Sequence, residues 1–108
     1  YAVRVDPSVI EGGPDRVAAA LRHYDVASAP RYVRKPAFEC AVFTKQRTFG
    51  ASRWPFTLAA PEAVDYGRDR FPGTHDALAS MLVLPYNERY EDRHLAYLGE
   101  SLARAAAS

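Results

Sequence analysis

Three cations, a phenol and a phenyl ring fall within eight residues, Arg31-Tyr32-Val33-Arg34-Lys35-Pro36-Ala37-Phe38. Aromatic faces stack on flat ligand surfaces, and Arg or Lys heads bind anionic and hydroxyl oxygens. The segment therefore suits an amphipathic wall for a polyhydroxylated or phosphorylated ligand. The same composition also fits an irregular loop whose rings pack on the rest of the domain.

Other reactive side chains point to less. His23, His75 and His94 have no second histidine three or four residues away, so no helical metal pair exists. All three read as solvated helix histidines. Glu91-Asp92 fits the charge of a helix start, and Glu62 with Asp65 fits a turn; neither pair has a nucleophile beside it. Cys40 follows Glu39 in an expected extended stretch and lacks the electropositive neighbour or base of a reactive thiolate, so it reads as a structural thiol. Gly12-Gly13-Pro14 lacks the lysine of a phosphate loop and the spacing of a dinucleotide fingerprint. It reads as a turn.

Alternation over Tyr1 to Asp6 predicts a half-buried strand stopped at Pro7. Pro14 opens a helix that runs to Tyr24 with Val17, Leu21 and Tyr24 on one face. Asp25 ends it, because Asp tolerates the left-handed conformation that usually calls for Gly. From Ala29 to Tyr66, prolines at 30, 36, 55 and 61 break any helical period. Short extended pieces are expected at Arg31 to Val33 and Glu39 to Phe43 within an ordered, aromatic-rich loop. Thr74 is expected to cap a short helix through Met81. Leu82-Val83-Leu84 reads as a buried strand closed by Pro85, and Tyr86 to Arg89 as a polar turn. A last helix opens at Glu91-Asp92 and carries Leu95, Leu98, Leu102 and Ala105 toward the core. This order predicts an α+β fold, a small sheet with helices packed on it, in one domain spanning residues 1–108.

Composition closes several function classes. The 108 residues carry 14 basic and 13 acidic side chains, a formal net charge of +1. So small a charge supplies no field for a nucleic-acid backbone or an anionic membrane. The longest apolar run, Met81 to Leu84, is far shorter than the roughly 20 residues of a transmembrane helix. One cysteine makes no internal disulfide, which suits a reducing, cytoplasmic setting. Lys35 and Lys45 are the only lysines, so lysine chemistry has two candidates. With no initiator methionine before Tyr1, the chain reads as a fragment of a longer protein.

Three motifs occur in order: Arg31 to Phe38; Thr48-Phe49-Gly50 followed by Pro55-Phe56; and Leu84-Pro85-Tyr86-Asn87-Glu88 before the last helix. With them the chain, from Tyr1 to Ala106, resembles the C-terminal small domain of the DegT/DnrJ/EryC1/StrS aminotransferases. These pyridoxal-phosphate enzymes aminate keto sugars and cyclitols. The resemblance implies a mostly antiparallel small sheet flanked by helices, and a parent enzyme that is a homodimer using an amino-acid donor. Its substrate would be a keto sugar, expected in nucleotide-linked form, or a cyclitol. It also implies that the catalytic lysine and the pyridoxal phosphate belong to a separate large domain. Neither Lys35 nor Lys45 matches that lysine, so this chain alone is expected to be inactive.

By the same resemblance, Arg31, Tyr32, Lys35 and Phe38 are substrate-binding. Tyr32 would bond a sugar hydroxyl or phosphate, Lys35 an anionic group, and Phe38 would form an apolar wall. Asp25 stands where the family usually has glycine, and Phe71 where a cysteine often precedes the proline. The competing reading is a free-standing α+β module that binds a small metabolite through the aromatic loop, without catalysis.

Overall fold

The apolar run Met81–Val83 is the middle strand, β3, of a three-stranded antiparallel sheet in the computed structural model, which describes residues 1–108. β1 (Ala2–Arg4) pairs along one edge with Val3 opposite Leu82, and β2 (Ala29–Pro30) along the other with Pro30 opposite Leu82. Pro30 is tolerated because an edge strand leaves one side without ladder bonds. The ladder runs past the strand ends. Tyr1 and Leu84 exchange hydrogen bonds of 2.8 and 2.7 Å, and the Val5 and Arg31 N–H groups donate to Ser80 and Met81 carbonyls at 2.8 Å.

Two units are distinguishable, residues 1–32 with 77–108 and residues 33–76. The first holds the sheet, α1 (Gly13–Arg22) and most of the conventional core. Successive side chains on a strand alternate faces, so Leu82 and Leu84 share one face, and both are buried. Val17, Ala18 and Leu21 meet them from α1, at the three- and four-residue spacing that makes one helical face. Each fully buried leucine stabilises the fold by about 1.5–3 kcal/mol.

The end of α1 follows the expectation for Asp25, which adopts φ 54°. Asp25 N–H donates to the Arg22 carbonyl and Val26 N–H to the Leu21 carbonyl, at 3.2 and 3.1 Å. These are the two bonds of a Schellman turn, and Val26 packs on the core beside Leu21.

The last helix, α4 (Asp92–Ala107), buries Ser101 and Ala105 and packs Leu98 and Leu102 against the core. Leu95 was expected on that face, yet it is exposed. Small Ala18 and Ala105, both buried, permit close approach of α1 and α4, and the buried stripe begins only at Leu98.

The second unit is built from turns. It contains α2 (Ala41–Thr44), 3₁₀ turns at Ala37–Glu39, Phe56–Leu58, Pro61–Val64 and Arg68–Arg70, and the start of α3 (Pro72–Ser80). Glu39 to Phe43 is therefore not extended. An extended stretch leaves its backbone groups in need of a partner strand, whereas helical turns satisfy them locally. Here Cys40 N–H donates to the Ala37 carbonyl at 2.9 Å, and Lys45 N–H to the Ala41 carbonyl at 3.0 Å. Arg31 to Val33 is also not a strand, because Arg31 at φ 50° turns the chain away after one further ladder bond. α3 starts at Pro72 rather than after Thr74; proline lacks the N–H that a first helical residue leaves unused, and its φ is already helical.

Aromatic rings form the interior of this unit. Phe43 lies 5.3 Å from Tyr66 and 6.2 Å from Phe56, edge to face in both cases. Pairs of this kind contribute about 0.5–1.5 kcal/mol each beyond their burial. The fold is α+β, with a three-stranded antiparallel sheet and four helices. No helix is long and apolar enough to cross a membrane.

Candidate functional site

Arg31 and Tyr32 leave the edge of the sheet in the first unit. The left-handed turn at Arg31 directs its guanidinium to Asp15 in the first turn of α1, at 2.8 Å. Half of each side chain faces solvent, so this pair contributes little to stability. It does restrict where the guanidinium lies. Tyr32 is 70% exposed and presents its phenol to solvent.

Lys35 and Phe38 belong to the second unit. Lys35 is exposed on irregular backbone beside buried Pro36. Phe38 is half-buried, with its ring centroid 4.3 Å from that of Phe71 and 5.8 Å from the His75 ring, which it meets edge to face. Phe71 thus covers one side of Phe38. The four residues divide between the units: Tyr32 and Lys35 offer free polar ends, Arg31 is paired and Phe38 is packed.

Glu39 adds a group that sequence spacing does not reveal. Its Oε1 lies 3.2 Å from an Arg68 guanidinium nitrogen and 3.3 Å from His75 Nε2. The histidine contact is an ion pair whenever the imidazole carries its proton, but it is not aligned as a hydrogen bond. The His75 side chain is only 16% exposed, so it is not the solvated helix histidine that its neighbours in sequence suggest. Phe38 and Glu39 are adjacent in the 3₁₀ turn, and His75 meets both because α3 begins just after Phe71. The one sequence signal for this arrangement is the preference of proline for a first helical position, which the expected start at Thr74 passes over.

The remaining candidates take structural places. Cys40 is half-buried with Sγ 3.9 Å from the Pro36 carbonyl oxygen. His94 Nδ1 accepts the Glu91 N–H at 2.9 Å at the start of α4. Asp65 accepts the Gly67 N–H at 3.0 Å in a turn, and Arg70 donates to the Glu62 carbonyl at 2.6 Å. No three His, Cys, Asp or Glu side chains converge as metal ligands would.

A lysine that works covalently with pyridoxal phosphate requires desolvation and an enclosing pocket. Lys35 and Lys45 are both exposed. Neither lysine has the enclosure that this cofactor's Schiff base requires. Among known proteins, no family, no curated sequence and no solved structure matches the chain.

Proposed function

We propose that the chain is the C-terminal small domain of a pyridoxal-phosphate aminotransferase of the DegT/DnrJ/EryC1/StrS kind. It covers the active site of a larger domain that holds the cofactor, in a cytoplasmic homodimer that transfers an amino group from an amino acid. The acceptor is a keto sugar, nucleotide-linked, or a cyclitol. Support comes from the ordered motifs at 31–38, 48–56 and 84–88, and from an α+β architecture of the kind that reading requires.

The observation that carries the reading is the exposure of Tyr32, 70%, within the cationic segment where the resemblance expects substrate contacts. A tyrosine so exposed spends apolar ring area on solvent while its hydroxyl remains free for a ligand. Lys35 supplies an anion contact and Phe38, fixed by Phe71, an apolar wall. Arg31 reaches substrate by exchanging its Asp15 partner for a ligand oxygen.

The test uses the complete gene product. It should bind pyridoxal phosphate and aminate a nucleotide-linked keto sugar or a keto cyclitol. Tyr32→Phe should raise KM for the keto substrate about tenfold, the loss of one hydrogen bond to a charged or strongly polar group, and leave cofactor binding intact. A gene product that binds no pyridoxal phosphate, yet binds small metabolites, would replace this reading with that of a non-catalytic module. Unchanged kinetics would remove the role of Tyr32.

A further inference from the structure

In the first unit a cavity of about 430 Å³ opens between the turn after α1 and the first two turns of α4. Its apolar wall includes Val26, Pro85 and Leu98, and Tyr90, His94 and Tyr97 also line it. The rings are held in place. Tyr97 donates its hydroxyl to the Tyr24 carbonyl at 2.9 Å, and the Tyr90 ring lies 5.7 Å from that of His94 and 5.8 Å from that of Tyr86.

The charges around this cavity do not balance. Arg93 lines it, but its Nε is 2.9 Å from a Glu91 carboxylate oxygen, so that charge is already matched. His94 accepts a hydrogen bond at Nδ1, which only a ring nitrogen without a proton can do. Asp25 is the remaining charged group in the wall, and none of the ion pairs of the structure involves it. The left-handed turn that ends α1 fixes its backbone there.

We propose that this cavity binds a small organic cation, an alkyl- or aryl-ammonium group, between the tyrosine faces and the Asp25 carboxylate. Ring faces carry negative quadrupole charge and attract such a cation, most strongly where water is displaced. The carboxylate adds direct charge complementarity, and the aliphatic wall accepts the ligand's carbon substituents. Its lining shares no residue with the 31–38 segment, and the proposal does not depend on the aminotransferase reading.

Choline and its uncharged isostere 3,3-dimethyl-1-butanol are the probes, titrated into the 108-residue chain with amide and aromatic NMR shifts as the readout. Choline should perturb Tyr90, His94 and Tyr97 and bind about tenfold more tightly than the neutral isostere. Asp25→Asn retains a residue that tolerates the left-handed turn, so the fold persists. It should reduce choline affinity about tenfold and leave isostere binding unchanged. Tyr90→Leu preserves an apolar wall and should weaken choline while sparing the isostere. Equal affinity for both probes, no effect of Asp25→Asn, shifts confined to other surfaces, or no choline binding at all would each overturn the proposal.

Discussion

Phe71 lies against Phe38 with ring centroids 4.3 Å apart, joining the 3₁₀ turn at Ala37–Glu39 to the start of α3. The same two elements bring Glu39 Oε1 to 3.3 Å from His75 Nε2. The second unit buries few side chains completely, so single ring contacts carry a large share of its stability.

Phe71→Ala should therefore destabilise the second unit by about 2–3 kcal/mol, below the usual cost for a fully buried phenylalanine because this ring is half-buried. Hydrogen exchange should quicken chiefly at residues 33–76. Phe71→Leu should recover much of the loss. Protection that falls evenly over the whole chain would show that the contact is not local in effect.

Leu21 and Leu82 are both 0% exposed and meet in the core of the first unit. Leu21→Ala or Leu82→Ala should each cost about 2–5 kcal/mol, read as a lower urea midpoint. The double variant should fall short of the summed costs, since the two sites share one cavity.

Asp25 occupies φ 54°. Asp25→Gly should raise stability by a few tenths of a kcal/mol to about 1 kcal/mol, by relieving the left-handed penalty at the close of α1. Asp25→Ala should lower it by about 1 kcal/mol. Thermal melts of the two variants should move in opposite directions.

Asp6 accepts hydrogen bonds from the Ser8 hydroxyl and N–H at 2.7 and 2.9 Å, which hold its carboxyl below the ordinary 3.8, with the Ser8 hydroxyl the largest cause. The folded pKa is depressed, so the stabilisation is fully present above 3.8 and disappears as pH falls through the folded value. Ser8→Ala should move the Asp6 titration upward, read from its side-chain carboxyl resonance. The acid side of the stability curve should become shallower in that variant.

Much of the first unit is legible in local pattern. Alternation placed β1, the three- and four-residue spacing of Val17 and Leu21 placed α1, and the apolar run before Pro85 placed β3. Asp25 as a helix stop needed only the rule about which residues accept positive φ. Leu95 failed because a helix shows a wide apolar stripe in sequence, while its packing partner covers only part of it. In the 31–38 segment, residue types identified the cations and rings. They did not distinguish Arg31, which has Asp15, from Tyr32, which is open to solvent.

Local periodicity and backbone preference, set by neighbouring residues, determined β1, α1, β3 and α4, the α+β class and the absence of a helix able to span a bilayer, but not the edge strand at Ala29–Pro30. Tertiary structure alone decided that 33–76 is a set of turns around aromatic rings, that Glu39 faces both Arg68 and His75, and that Asp25 borders a cavity beside Tyr90 and Tyr97. Those contacts join residues 29, 36 and more than 60 positions apart. No interaction with near neighbours favours them, so only closure of the whole chain brings them within reach.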